Sequence, residues 1–129
     1  MIDGVEIHPL KRFPDERGSV MHMLKRTDPY FREFGEIYFS TVYPGVVKGW
    51  HIHERMTLSY TCVSGCIKLV LYDERADSKT RGRTQVVYLG ERNYVLVIVP
   101  PGVWNGFMGG DLKESIVANC ASIPHDAAE

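Results

Sequence analysis

The chain has 129 residues, 44% of them hydrophobic, and a formal net charge of −1 at neutral pH. This length can close one hydrophobic core, and we expect a single domain over residues 1–129. Charges of both signs are mixed and no apolar stretch could span a bilayer, so neither nucleic acid nor a membrane is an expected partner. The absence of a signal-peptide pattern and of a C-x-x-C pair among the three cysteines is typical of a soluble, cytoplasmic protein with reduced thiols.

The predicted elements begin with residues 1–26, which we expect to form N-terminal edge strands. The one predicted helix follows at 27–34, where Thr27 is a suitable cap and Pro29 fits the first turn. Residues 36–122 are the predicted barrel core, a series of runs rich in Val, Ile, Tyr and Thr and separated by turn residues. The runs are 36–43, 46–54, 57–64, 66–74, 84–89, 94–100 and 115–122. Together they predict an all-β fold with one short helix.

Two histidines in the second run, His51 and His53, are the candidate functional residues. Side chains of a strand alternate between its faces, so both imidazoles are expected on one face, and Lys48 on the other. An ordinary pair of strand histidines is the alternative interpretation. A shared environment makes the pair suitable either for metal binding or for acid and base chemistry.

The metal interpretation depends on further donors. Gly45 followed by His51-x-His53 resembles the first cupin motif, and the later "PPGVWNGF" resembles the second. The position of a histidine ligand in that second motif holds Asn105, and the position of the cupin glutamate holds Leu58. Two imidazoles and an amide oxygen are a poor ligand set for zinc, iron or manganese, so no metal site is expected.

Four motifs in order along the chain resemble the dTDP-4-dehydrorhamnose 3,5-epimerase family. They are "FPDERGSV" (13–20), "GVVKGWH" (45–51), "DERADSKTRG" (73–82) and "VPPGVWNGF" (99–107). The resemblance implies an all-β cupin, a double-stranded β-helix or jelly-roll barrel. It also implies proton abstraction beside the ketone of a nucleotide-linked sugar, without a cofactor.

The resemblance assigns roles to individual residues. His51 matches the catalytic base, and a neutral imidazole with a pKa near about 6.5 suits that task. Lys48 stands at the position of a substrate-binding arginine, and Arg17 at that of an arginine that holds the nucleotide phosphates. Asn105 replaces the second active-site histidine and is assigned to substrate binding. The family's tyrosine acid is absent from 115–119, and its C-terminal aspartate has no counterpart.

His53 is additional to the epimerase pattern. A G-x-H-x-H stretch is closer to the related dTDP-sugar 3,4-ketoisomerases, in which paired histidines move protons between adjacent carbons. On that comparison His51 and His53 divide the proton transfer. Tyr60 is then the candidate acid, and Tyr38 is a candidate for substrate binding or for the same acid role.

The sequence therefore predicts a metal-free epimerase or isomerase that acts on a dTDP- or other NDP-linked 4-keto-6-deoxy sugar. A non-catalytic or altered-chemistry cupin that binds sugar nucleotides is the first alternative, because Asn105 and the missing tyrosine depart from the family. A metal-dependent cupin enzyme is the second. A homodimer is expected, since related proteins pair or exchange edge strands.

Overall fold

Two antiparallel sheets face one another across one apolar core in the computed structural model, which describes residues 1–129. The five-stranded sheet has the order β1-β9-β6-β11-β4, and the four-stranded sheet has the order β5-β10-β7-β8. A separate hairpin consists of β2 and β3. In chain order the strands are β1 (Glu6–Pro9), β2 (Arg12–Asp15), β3 (Gly18–Met21), β4 (Glu36–Val42), β5 (Val47–His51), β6 (Leu58–Ser64), β7 (Cys66–Asp73), β8 (Thr84–Gly90), β9 (Val95–Val99), β10 (Val103–Gly109) and β11 (Ser115–Ala121).

The core follows from the period-two pattern of the strands. In β7 the buried residues Ile67, Leu69 and Leu71 alternate with partly exposed ones, so one face of the strand turns inward. Side chains of β6, β9 and β11 meet them from the opposite sheet, in one cluster of 19 buried residues. The facing sheets form the jelly-roll barrel that the sequence predicts.

Each of the seven predicted core runs contains a strand, and their ends differ from the prediction by a few residues at most. Three features differ. The predicted helix at 27–34 is wrong, because these residues form turns between β3 and β4. The second run ends as a strand at His51. Residues 103–109, interpreted as a motif after a turn, form the central strand β10. The structure contains no helix that is long and apolar enough to cross a membrane.

The long connection between β7 and β8 is organised by a buried carboxylate. Asp73 is fully buried and accepts hydrogen bonds from Arg75 Nε at 2.9 Å, Thr80 Oγ1 at 2.6 Å and the Ser78 hydroxyl. The Arg75 guanidinium and these hydroxyls hold the pKa of Asp73 far below its ordinary value. The third family-like motif, 73–82, is therefore a structural turn.

Candidate functional site

A cavity of about 330 Å³ opens where the edge strands of the two sheets, β4 and β5, lie beside each other. Its walls come from β4, β5, β6, β10, β11 and the segment after β11. The lining residues are Tyr38, Ser40, Lys48, His51, His53, Tyr60, Phe107, Val117, Asn119 and His125. A larger groove, of about 560 Å³, lies on the outer sheet face between Trp50 and Trp104. That groove holds no histidine, lysine or carboxylate, so we place the candidate chemistry in the smaller cavity.

A β-bulge places Lys48 and His51 in the same cavity. In the pairing of β5 with β10, His51 lies opposite Asn105 and Lys48 lies opposite Phe107, so Gly106 alone faces two residues of β5. A Cβ atom at Gly106 would lie 3.3 Å from the Gly49 Cα atom, and the absence of side chains allows this close approach. The prediction that Lys48 points away from the histidines is therefore wrong, because it assumed unbroken alternation.

Lys48 joins the two sheet edges at the cavity. Its Nζ atom donates hydrogen bonds to the Ser40 hydroxyl and to the Thr41 carbonyl, both at 2.9 Å. An ammonium held in this way presents a fixed positive charge at the cavity. It can stabilise an anionic group of a ligand or negative charge that develops on an oxygen.

His53 lies just beyond the end of β5 and is held by its backbone. Its carbonyl accepts a hydrogen bond of 2.8 Å from the Gly102 amide, in the Pro-Pro-Gly turn before β10. Its Nδ1 atom is buried and has no hydrogen-bond partner. Burial lowers the pKa of His53, the nearby Glu129 carboxylate opposes this effect, and His51 and His125 add to it. The ring is therefore biased toward its neutral form, and no hydrogen bond fixes its tautomer at Nδ1.

Asn105 is fully buried and does not line the cavity. Its Nδ2 atom donates to the His51 carbonyl at 3.2 Å, and its Oδ1 atom accepts from the Tyr60 hydroxyl at 2.9 Å. A carbonyl can only accept, so the amide orientation is fixed and the Tyr60 proton is committed to Asn105. Burial also raises the pKa of Tyr60. Asn105 thus fixes the Tyr60 hydroxyl and the His51 backbone.

Tyr38 has the opposite hydrogen-bonding pattern. Asn119, its partner in the β4–β11 register, uses Oδ1 to accept from the Ser59 amide at 3.0 Å. Its Nδ2 atom therefore faces Tyr38 and donates to the phenolic oxygen at 2.9 Å. The Tyr38 hydroxyl accepts within the protein and keeps its own proton for a ligand. Tyr38 is 42% exposed, so a ligand can reach it.

The structure brings together five of the seven predicted site residues: Tyr38, Lys48, His51, His53 and Tyr60. Arg17 lies apart, at the turn of the β2–β3 hairpin, where its guanidinium pairs with Asp15 at 2.7 Å and is 83% exposed. Sequence reasoning missed Asn119 and His125. The cross-strand register would have identified Asn119, whereas His125 lies too far along the chain for any local pattern to connect it with His51.

The ionisable side chains that line the cavity include bases and hydroxyls but no carboxylic acid. Three imidazoles, one ammonium and two tyrosine hydroxyls line it, and no carboxylate does. Such a lining favours an anionic ligand or an enolate. No three His, Cys, Asp or Glu side chains are arranged so that they could hold a metal ion.

Comparisons with known proteins agree with this architecture. The family model described as dTDP-4-dehydrorhamnose 3,5-epimerase matches residues 1–127. The spore coat polysaccharide biosynthesis protein SpsL of Bacillus subtilis is 39% identical over 107 residues, which are 83% of this chain and 71% of that protein. The probable low-salt glycan biosynthesis epimerase Agl13 of Haloferax volcanii is 32% identical over 92% of this chain and 77% of its own length.

Solved structures show the same fold. A dTDP sugar isomerase from Desulfovibrio desulfuricans G20 superposes with a TM-score of 0.97 at 45% identity, over 99% of this chain and 82% of that one. The RmlC epimerase of Mycobacterium tuberculosis superposes with a TM-score of 0.87 at 26% identity, over 98% and 67%. The predicted jelly-roll class and the predicted family are confirmed. The chain belongs to the dTDP-4-dehydrorhamnose 3,5-epimerase family of sugar isomerases.

Proposed function

We propose that the chain catalyses epimerisation or ketoisomerisation of a 4-keto-6-deoxy sugar linked to dTDP or another nucleoside diphosphate. The observation that carries the proposal is the cavity itself, where His51, Lys48 and the free hydroxyl of Tyr38 converge with no carboxylate. Two relatives of the chain, SpsL and Agl13, are named for polysaccharide and glycan biosynthesis, and we propose that role for this chain.

The proposed reaction is a proton transfer next to the sugar ketone, without a metal ion. His51 takes the proton from the carbon beside the carbonyl, the C–H electron pair forms a carbon–carbon double bond, and the carbonyl π pair moves onto the oxygen to give an enolate. Lys48 and Tyr38 stabilise that oxygen. Return of a proton to the opposite face of the same carbon gives an epimer. In a ketoisomerisation the enolate oxygen is protonated to a hydroxyl, the neighbouring hydroxyl loses its proton and becomes the new ketone, and a proton is added to the former carbonyl carbon.

Tyr38 is a better acid candidate than Tyr60 in this proposal. The Tyr60 proton is already donated to Asn105, whereas Tyr38 receives a hydrogen bond from Asn119 and retains its proton. The hydrogen bond donated by Asn119 orients the Tyr38 hydroxyl, so that its proton is available to a ligand in the cavity. His53 serves as the second proton carrier if the reaction is a ketoisomerisation.

The test is exchange with solvent deuterium. Incubation of dTDP-4-keto-6-deoxyglucose with the protein in D₂O should introduce deuterium beside the ketone, detected by mass spectrometry and NMR. His51→Ala should abolish the exchange, while His22→Ala, which alters an exposed histidine outside the cavity, should not. Loss of all isomerisation in His53→Asn, with exchange retained, would favour the ketoisomerase. No exchange with any such sugar would contradict the proposal.

A binding protein for sugar nucleotides is the second candidate. It is favoured by Asn105, which holds the position of a family histidine yet is buried behind Tyr60. Tight binding of dTDP-sugars in calorimetry, without deuterium exchange, would support it.

We further propose that the chain acts as one cytoplasmic domain, residues 1–129, in a homodimer that does not bind nucleic acid. The edges of β4 and β5 are unpaired, and the β2–β3 hairpin pairs with no other strand. Large apolar side chains are exposed on them: Phe13 at 54%, Phe39 at 65% and Val47 at 65%. We propose that Arg17, exposed at the turn of that hairpin, holds the nucleotide phosphates. Light scattering should give twice the chain mass, and Phe39→Glu should reduce it to one.

A further inference from the structure

The segment after β11 returns to the candidate site and adds a third histidine to it. His125 is exposed, lines the same cavity as His51 and His53, and makes no hydrogen bond to any other residue. The mechanism proposed above does not use it. Its position nevertheless requires an explanation, because an irregular segment of this kind is held in place only by specific contacts.

Both flanks of His125 are fixed to the residues that follow His53. Before it, the Ser122 amide donates to the Thr57 carbonyl at 3.1 Å, and the Thr57 amide donates to the Ser122 hydroxyl at 2.8 Å. After it, the Glu129 carboxylate accepts from the Met56 amide at 2.7 Å, from Arg55 Nε at 3.2 Å and from the Arg55 amide. The Glu129 side chain is only 2% exposed, so its charge is well enclosed by these donors.

Ordering such a segment is costly. Fixing each residue's backbone costs about 1–2 kcal/mol, and the charge-assisted hydrogen bonds of Glu129 offset part of that cost. A second contact helps, because Gly35 donates to the Ala121 carbonyl at 2.8 Å and leaves room for Ile123. These anchors surround the one residue of the segment whose polar side chain faces the cavity. The result is preorganisation of His125 for a ligand.

We propose that His125 contacts the bound nucleotide sugar as the third imidazole of the cavity and that Glu129 is the residue that positions it. This inference rests on the proposed function and concerns binding of the substrate. His125 contributes to binding, whereas His51 and Tyr38 carry the proton transfer. The imidazole donates a hydrogen bond to an oxygen of the sugar nucleotide, in a cavity where no carboxylate competes for it.

The test separates binding from catalysis. For His125→Ala we expect the Kd of the dTDP-sugar by calorimetry and its KM to rise about tenfold, with kcat changed less than about threefold. Glu129→Gln should raise Kd and KM by about threefold, since it weakens the hydrogen bonds that hold the segment and leaves the His125 imidazole in place. Glu114→Gln is the matched control, because Glu114 is an exposed carboxylate that makes no hydrogen bond or ion pair and does not line the cavity. The Glu114→Gln constants should equal those of the wild type.

The possible results are distinguishable. An unchanged Kd and KM in His125→Ala, with wild-type binding intact, would overturn this inference alone. A fall in kcat with unchanged KM would overturn it as well, because His125 would then act in the chemistry. A wild-type protein that binds no nucleotide sugar would overturn the proposed function together with it. His125→Phe guards against misfolding, because it keeps a ring and removes only the donor: with a wild-type Tm, it should still bind more weakly than wild type.

Discussion

The two cavity tyrosines should respond in opposite ways when each is replaced by phenylalanine. Tyr60 donates its hydroxyl proton to the fully buried Asn105, whereas Tyr38 receives a hydrogen bond from Asn119 and keeps its proton. Removal of the Tyr60 hydroxyl should therefore act on stability. Removal of the Tyr38 hydroxyl should instead lower the rate of proton transfer.

The size of each effect follows from the surroundings of the hydroxyl. Tyr60→Phe leaves the Asn105 Oδ1 atom buried without a donor, which costs about 1–3 kcal/mol and lowers Tm by about 4–12 °C in a chain of this length. The ring itself keeps its edge contact with Phe107, at 6.2 Å between centroids. Tyr38→Phe should be milder for stability, because Tyr38 is 42% exposed at the cavity and water can enter there to accept from the Asn119 amide once the hydroxyl is gone. Loss of a general acid should lower kcat by about 10²–10⁴.

The assay combines thermal unfolding with deuterium exchange into the dTDP-linked ketosugar. We expect Tyr60→Phe to retain most of the exchange rate at a temperature well below its reduced Tm. We expect Tyr38→Phe to retain a near-native Tm and lose the exchange. The reverse pattern is a Tyr60→Phe protein that is inactive at native stability and a Tyr38→Phe protein that is active. It would refute the assignment that Tyr60 donates to Asn105 and that Tyr38 accepts from Asn119.

Three other predictions concern the turn, the ammonium and the C-terminal segment. Asp73→Asn should cost about 3–5 kcal/mol in urea unfolding, because the Arg75 guanidinium loses its buried partner. Because the pKa of Asp73 is depressed in the folded protein, the ionised carboxylate stabilises the fold fully above about pH 4, and this stabilisation is lost as the pH falls toward the folded-state pKa. The free energy of unfolding of Asp73→Asn should therefore decrease less at acid pH than that of the wild type. Lys48→Met should lower kcat/KM at least about tenfold, because the enolate oxygen loses its cation, while Lys48→Arg, which keeps the charge, should lower kcat/KM less; equal values for the two variants would contradict a charge-based role. Gly35→Ala would place a Cβ atom 2.2 Å from the Ile123 backbone, so it should both lower Tm and raise KM, and an effect on Tm alone would separate Gly35 from the site.

Local patterns were sufficient for most of the fold. Runs such as 66–74 alternate between core and solvent, and β-branched residues between turns predicted their strands within a few residues of the observed ends. The predicted helix at 27–34 has a cap, a proline and aromatic residues at 30, 31 and 34, but two turns are too short to be stable unless that aromatic face is buried, and Phe34 stays 63% exposed. The chain instead makes turns there, and the Lys25 amide donates a hydrogen bond to Asp28. β10 was missed because Gly102, Gly106 and Gly109 suggest a loop, whereas close packing against Gly49 and Tyr43 is what requires two of them.

The site shows why the same reasoning could reach His51 and yet misplace Lys48. Alternation along a strand decides which face a side chain occupies only while every residue has one partner, and the bulge opposite Gly106 breaks that rule between Lys48 and His51. The bulge converts a spacing of three residues into a shared face, so the cavity gains an ammonium beside its base. His125 reaches the same cavity by tertiary contacts alone, through Glu129 and the backbone amide of Met56. Both residues enter the site through backbone geometry that no side-chain pattern encodes, and their variants therefore test the structure more sharply than His51→Ala, which tests only the motif.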